Sequence, residues 1–139
     1  MGVPKIGTAY SDGTLDEMFE TYGPERCAFF VVVVSNEIVG CGGIAPLMGF
    51  TGDICELQKM YVAPKHQRLG IGSLIIERCL ETAMNFGYHA CYLETLPEMN
   101  AAQALYVKNG FEYLGGPLGN TGHHNCSVRM LKKFDANVA

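Results

Sequence analysis

Residues Cys55–Ile76, CELQKMYVAPKHQRLGIGSLII, decide how this chain folds. The stretch reads as a strand, a short loop rich in basic and amide side chains, and the opening turns of a helix. Its centre is Gln67-Arg68-Leu69-Gly70-Ile71-Gly72-Ser73. Two glycines one residue apart let backbone approach a ligand with no Cβ in the way. The helix starts at once, so its free N–H groups and positive dipole end point into the loop. Such a place suits phosphate. A dinucleotide site needs G-x-G-x-x-G, where this chain has G-x-G-S-L-I; a P-loop needs Gly-Lys-Ser/Thr, which is absent. A tight turn that binds nothing remains the alternative. Lys65, His66, Gln67 and Arg68, gathered beside the glycines of an acidic chain, favour the phosphate seat.

Upstream, Cys27–Val34 (CAFFVVVV) is β-branched and aromatic, hence a strand. Ser35-Asn36-Glu37 turns it into a second strand, Ile38–Ala45, with Gly40, Gly42 and Gly43 as bulge or close-approach positions. Asp53–Val62 is the third strand, ended by Pro64. Leu15–Tyr22 places Leu15, Met18, Phe19 and Tyr22 at helical spacing, so a short helix capped by Asp12 or Thr14 is expected there.

Downstream, Ile71–Phe86 is amphipathic and Gly87 fits its left-handed stop. Tyr88–Thr95 is the fourth strand, parallel to the third because a helix joins them. A helix over residues 98–109, a strand Phe111–Leu114 and a strand Asn125–Leu131 complete a βββαβαββ order. The expectation is one α/β domain over residues 1–139.

Composition narrows the function. With 139 residues, 48% hydrophobic and 17% charged, the chain can bury one core. Its net charge of -4, from 10 basic and 14 acidic residues, argues against nucleic acid as a partner. Ala28–Val34 is too short to cross a membrane, and no basic, apolar leader opens the chain, so a cytoplasmic location is expected. The six cysteines form no C-x-x-C pair and read as reduced thiols. His123, His124 and Cys126 fit no usual zinc spacing, so no metal is expected.

With these segments placed, the chain resembles the GNAT superfamily of acyl-CoA N-acyltransferases over roughly residues 27–134. Gln67-Arg68-Leu69-Gly70-Ile71-Gly72 matches the family's Q/R-x-x-G-x-G/A, and Ala102–Phe111 contains its AxxLYxxxGF segment. The resemblance implies a mixed, mostly antiparallel sheet with one central parallel strand pair flanked by helices. The front of the fold is shortened, because only 26 residues precede Cys27.

The resemblance also implies site roles. The main chain of Lys59–Val62, thus Met60, Tyr61 and Val62, pairs with the pantetheine arm of acetyl-CoA. Gln67, Arg68, Leu69, Gly70, Ile71, Gly72 and Ser73 take the pyrophosphate. The thioester lies near Met60 and Leu93–Thr95, with a backbone N–H near Met60 as oxyanion donor. Tyr106 is the general acid toward sulfur; its alternative is a core aromatic that only touches CoA. Glu56 is the candidate base, or a carboxylate that merely orients the amine. Alternation puts Glu56, Gln58 and Met60 on one strand face. Glu94, Glu98, His66, His123 and His124 are weaker candidates for the base. Many members carry an asparagine seven residues before the tyrosine; here that position is Met99, with Asn100 next to it as substitute.

The expected activity is transfer of acetyl from acetyl-CoA to a primary amine of a small or amino-acid-like molecule, by direct attack in a ternary complex. A protein acceptor, or a non-catalytic acyl-CoA sensor, is the alternative. The short front leaves sheet surface for a homodimer.

Overall fold

The structure is built around a strand, Ile54–Val62, a short loop and a helix, Ile71–Asn85. A computed structural model describes residues 5–6, 17–22, 25–48, 53–67, 70–115 and 128–134. Among these, the strands are β1 (Lys5–Ile6), β2 (Glu17–Tyr22), β3 (Ala28–Val34), β4 (Glu37–Pro46), β5 (Ile54–Val62), β6 (Ala90–Thr95), β7 (Glu112–Leu114) and β8 (Val128–Lys133). Helix α1 covers Ile71–Asn85 and α2 covers Asn100–Lys108. The strands form one sheet in the order β1-β2-β3-β4-β5-β6-β8-β7. All neighbours are antiparallel except β5 and β6, which are parallel with α1 between them. The expected fold class is what is found.

The front of the chain differs from the sequence expectation. Residues Glu17–Tyr22 are a strand, not a helix, and pair antiparallel with β3 from Glu17–Val33 to Tyr22–Ala28. The reason is tertiary. The AFFVVVV strand offers an open edge, and Phe19, Thr21 and Tyr22 suit a strand as well as a helix. Two strands therefore precede β3, and β8 inserts between β6 and β7.

Alternation along β3 sends Phe30 and Val32, both fully buried, toward α1. From α1 come Ile71, Ile75, Ile76 and Cys79, all without exposed surface. The helix lies close on β4 because Gly42 has no side chain there. A Cβ on Gly42 would stand 2.7 Å from Ile75 Cγ2 and 3.1 Å from Met60 Sδ. At the sheet end opposite the α1 start, the Arg26 guanidinium lies 4.0 Å over the Tyr88 ring and bonds Asp53 at 3.2 Å.

One irregularity decides the site. Gly43 pairs with Gln58 but Cys41 pairs with Tyr61, so β5 holds one extra residue there. Lys59 absorbs it with φ 58°, a β-bulge. Its carbonyl accepts a hydrogen bond from Cys41 Sγ at 3.2 Å. The bulge overturns simple alternation: Glu56 and Gln58 stay on the face away from α1, while Met60 crosses to the α1 side, against Gly42 and Gly72.

Candidate active site

The parallel ladder between β5 and β6 is short. It runs Ile54–Ala90, Cys55–Cys91 and Glu56–Tyr92, then stops. Beyond it, among the described residues, β6 continues against β8 and β5 against β4, with no further pairing between the two. A groove of about 450 Å³ opens beside the unpaired end of β5. It is lined by Met60, Tyr61 and Val62 from β5, Pro64 and Gln67 from the loop, Gly72 from α1, and residues 98–102, Leu105 and Tyr106 from α2 and the segment before it.

The loop between β5 and α1 follows from its prolines and glycines. Ala63 is extended before Pro64 (φ -58°, ψ 140°), and Pro64–His66 makes a single 3-10 turn. Gln67 turns its amide back to donate to the Val62 carbonyl at 3.1 Å, which ties the loop to the strand end. Arg68 and Leu69 lie outside the described residues. Gly70 caps α1 in the left-handed region, φ 80°. No side chain caps α1 and no acidic residue stands in its first turn. The opening N–H groups at Ile71, Gly72 and Ser73 therefore precede the first intrahelical acceptor bond, Leu74 N–H to Gly70 O at 3.1 Å. The Ile71 side chain is fully buried, so only its backbone serves the loop.

Tyr106 projects from α2 into the groove wall with 7% of its surface exposed. Its ring packs edge-on to Phe111, centroids 5.9 Å apart. Burial pushes its phenol up to about 12, which keeps the proton on oxygen. Asn100 opens α2 and lines the groove beside Met99, whose sulfur accepts from Thr95 Oγ1 at 3.8 Å. Gln103 braces the same wall, donating to the carbonyls of Leu96 at 3.0 Å and Pro97 at 3.1 Å.

Glu56 does not line this groove. It sits at the last rung of the ladder, 3% exposed, on the opposite face. Gln58 Nε2 donates to its Oε1 at 2.9 Å. In register beside it, Tyr92 donates to Glu94 Oε2 at 2.5 Å. The structure thus puts Met60, Tyr61, Val62, Gln67, Gly72, Asn100 and Tyr106 at one groove, and Glu56 across the sheet at its closed end. Glu98 also lines the groove, whereas Glu94 is held by Tyr92. Sequence reading did not find Pro64, Ala102 and Leu105 as groove residues; small Ala101 and Ala102 on the helix face before Leu105 were the available signal.

The family model for acetyltransferase (GNAT) matches residues 5–111 of this chain. The chain belongs to the acetyltransferase (GNAT) family. Its sequence is 43% identical over 128 residues to an uncharacterized N-acetyltransferase, YjgM, of Escherichia coli K12, covering 92% of this chain and 77% of that protein. A GNAT acetyltransferase structure from Staphylococcus aureus Mu50 matches at TM-score 0.72 and 21% identity, over 80% of this chain and 70% of that one. A GNAT structure from Elizabethkingia anophelis with acetyl-CoA bound matches at TM-score 0.63 and 21% identity, over 78% and 77%. These structures share the fold. As a GNAT member the protein is an acetyl-CoA-dependent N-acetyltransferase.

Among the described residues, no group of three or more His, Cys, Asp or Glu could hold a metal, and no helix is long and apolar enough to cross a membrane. His123, His124 and Cys126 lie outside the described residues.

Proposed function

We propose that this GNAT enzyme acetylates a primary amine of a small molecule by direct attack within a ternary complex, in a single domain. The observation that carries this reading is the end of the β5–β6 ladder at Glu56–Tyr92, with the Tyr106 groove on one face of the sheet and Glu56 on the other. Donor and acceptor then meet through the gap from opposite sides.

In this reading, backbone N–H groups at Gly70–Ser73 hold the pyrophosphate and the Met60–Val62 main chain holds the pantetheine arm. The Met60 N–H, just after the bulge at Lys59, stabilises in this reading the charge that develops on the carbonyl oxygen. Glu56 takes the proton the amine must lose before it can attack. Tyr106 gives a proton to the departing sulfur. Asn100 and Gln67 shape the groove.

Direct attack is favoured because Cys27, Cys41, Cys79 and Cys91 are poor acyl carriers. Burial pushes the thiols of Cys27, Cys41 and Cys79 up. A hydrogen bond with Cys55, and then burial, holds Cys91 well above its ordinary value. A thiol that keeps its proton is a weak nucleophile.

The test is CoA-thiol release from acetyl-CoA with a panel of small primary amines and, separately, peptides bearing lysine or free N-termini. Turnover on small amines is expected. Turnover on peptides alone would move the acceptor to proteins, and tight acetyl-CoA binding with no turnover on either would make the chain a sensor.

A further inference from the structure

Gln58 stands in a short gap between two features of β5. The ladder to β6 ends at Glu56, and the bulge begins at Lys59. Gln58 is the last residue before the bulge that faces away from α1. Its backbone is still fixed by β4, through its register with Gly43. Phe29 pairs with Gly43 from the other side, and its ring lies across that glycine: a Cβ there would stand 2.9 Å from Phe29 Cδ1. A residue so fixed in backbone can hold a side chain in one place. Gln58 uses this to donate from Nε2 to Glu56 Oε1 at 2.9 Å, on a carboxylate that is 3% exposed.

We infer that Gln58 is the positioning residue of Glu56, fixing the carboxylate plane toward the gap and keeping it ionised at lower pH. This rests on the reading of Glu56 as the base. A carboxylate gripped through one oxygen loses rotation about its last bond, so it meets the amine in one orientation. An amide N–H donated to a carboxylate favours the charged form.

The strands beside Glu56 bring further groups near it. From β4, the register neighbour is Ala45, which carries no charge. From β6 come Tyr92, in register, and Glu94, to which Tyr92 donates. From β8, Arg129 pairs with Glu94. Glu94 and Arg129 thus belong to the next residue pair along the sheet, and Gln58 donates to Glu56 directly.

The experiment is the pH profile of kcat at saturating acetyl-CoA and amine, for wild type, Gln58→Leu, Gln58→Glu and Glu56→Gln. Gln58→Leu is expected to move the acid limb up by about one pH unit, with KM for acetyl-CoA unchanged. Gln58→Glu keeps the shape and adds a second carboxylate, so its limb moves further up; it also serves if the leucine variant does not fold. An acid limb that stays at the wild-type pH in both variants overturns the inference, as does a loss of rate equal at every pH. Loss of the limb in Glu56→Gln with no movement in the Gln58 variants sinks only the role of Gln58. Wild-type rate and limb in Glu56→Gln sink the base itself.

Discussion

Leu105 of α2 occupies the space that a side chain on Gly72 of α1 would need. A Cβ built on Gly72 would lie 2.6 Å from Leu105 Cδ2. The second glycine of the loop motif is therefore a helix–helix notch as well as part of the proposed phosphate seat. It seats α2, and with it Tyr106, against the start of α1. Asn109 Nδ2, donating to Ser73 Oγ at 3.4 Å, joins the same two helices.

Gly72→Ala is expected to push α2 outward. Overpacking of this kind costs about 1–3 kcal/mol. Thermal melts should show the loss, and KM for acetyl-CoA should rise because the groove wall moves. Adding Leu105→Ala should recover much of both, since the clash is with the end of that side chain. Additive losses in the double variant would show that the notch is not the cause.

Gly70→Glu places a strained side chain and a negative charge at the mouth of the proposed pyrophosphate seat, where φ is 80°. Acetyl-CoA at a hundred times its Kd should stabilise wild type by about 2.7 kcal/mol. That shift should vanish in Gly70→Glu, and Gly70→Asn, which tolerates the left-handed region, should retain part of it. A full shift in the glutamate variant would remove the cradle from this loop.

Tyr106→Phe should lower kcat by about a hundredfold, in the range of general acid catalysis, while acetyl-CoA affinity stays close to wild type. Calorimetry and steady-state rates on the same preparations make the comparison. Equal kcat would return Tyr106 to the role of a core aromatic on Phe111.

Cys41→Val removes the thiol that donates to the Lys59 carbonyl at 3.2 Å. The bulge then loses one tie, and both the melting temperature and kcat should fall, by an amount matching a hydrogen bond of about 0.5–1.5 kcal/mol. Cys41→Ser keeps a donor and should keep both. A serine variant as impaired as the valine one would assign the effect to packing.

Stability should fall in alkali. Tyr88 and Tyr106 are both pushed up to about 12, chiefly by burial, against about 10 in the unfolded chain. Between those values the native state holds protons that the unfolded state has released. The unfolded state then binds fewer protons, so unfolding is favoured as pH rises. Denaturant midpoints should hold below about pH 8, begin to fall above about pH 8.5 where the raised thiols of Cys27, Cys41, Cys79 and Cys91 would ionise in the unfolded chain, and fall further between about pH 10 and 12. Tyr88→Phe should reduce that slope.

The local elements were readable where a residue has a single use. Gly87 was recognisable as a left-handed position closing an amphipathic run, and it has positive φ there; the positive φ of Gly70 at the start of α1 was not foreseen. Pro64 was a reliable strand stop. Residues 17–22 were not readable, because MFETY suits two periods and only the open edge of β3 selects the strand. Met60 was assigned to the wrong face of β5, because a bulge at an ordinary lysine leaves no sequence mark.

By itself, the sequence determined the strand–loop–helix of the proposed donor side: a strand, a proline stop, paired glycines and a helix start are local facts that short-range sterics enforce. The tertiary structure alone decided how the two halves of the site face each other. The β5–β6 ladder stops after three pairs, and one extra residue in β5 turns Met60 to the groove and leaves Glu56 and Gln58 on the far face. Strand registry and helix docking are long-range contacts, set by what each edge and notch finds across the sheet, and no neighbouring residue encodes them.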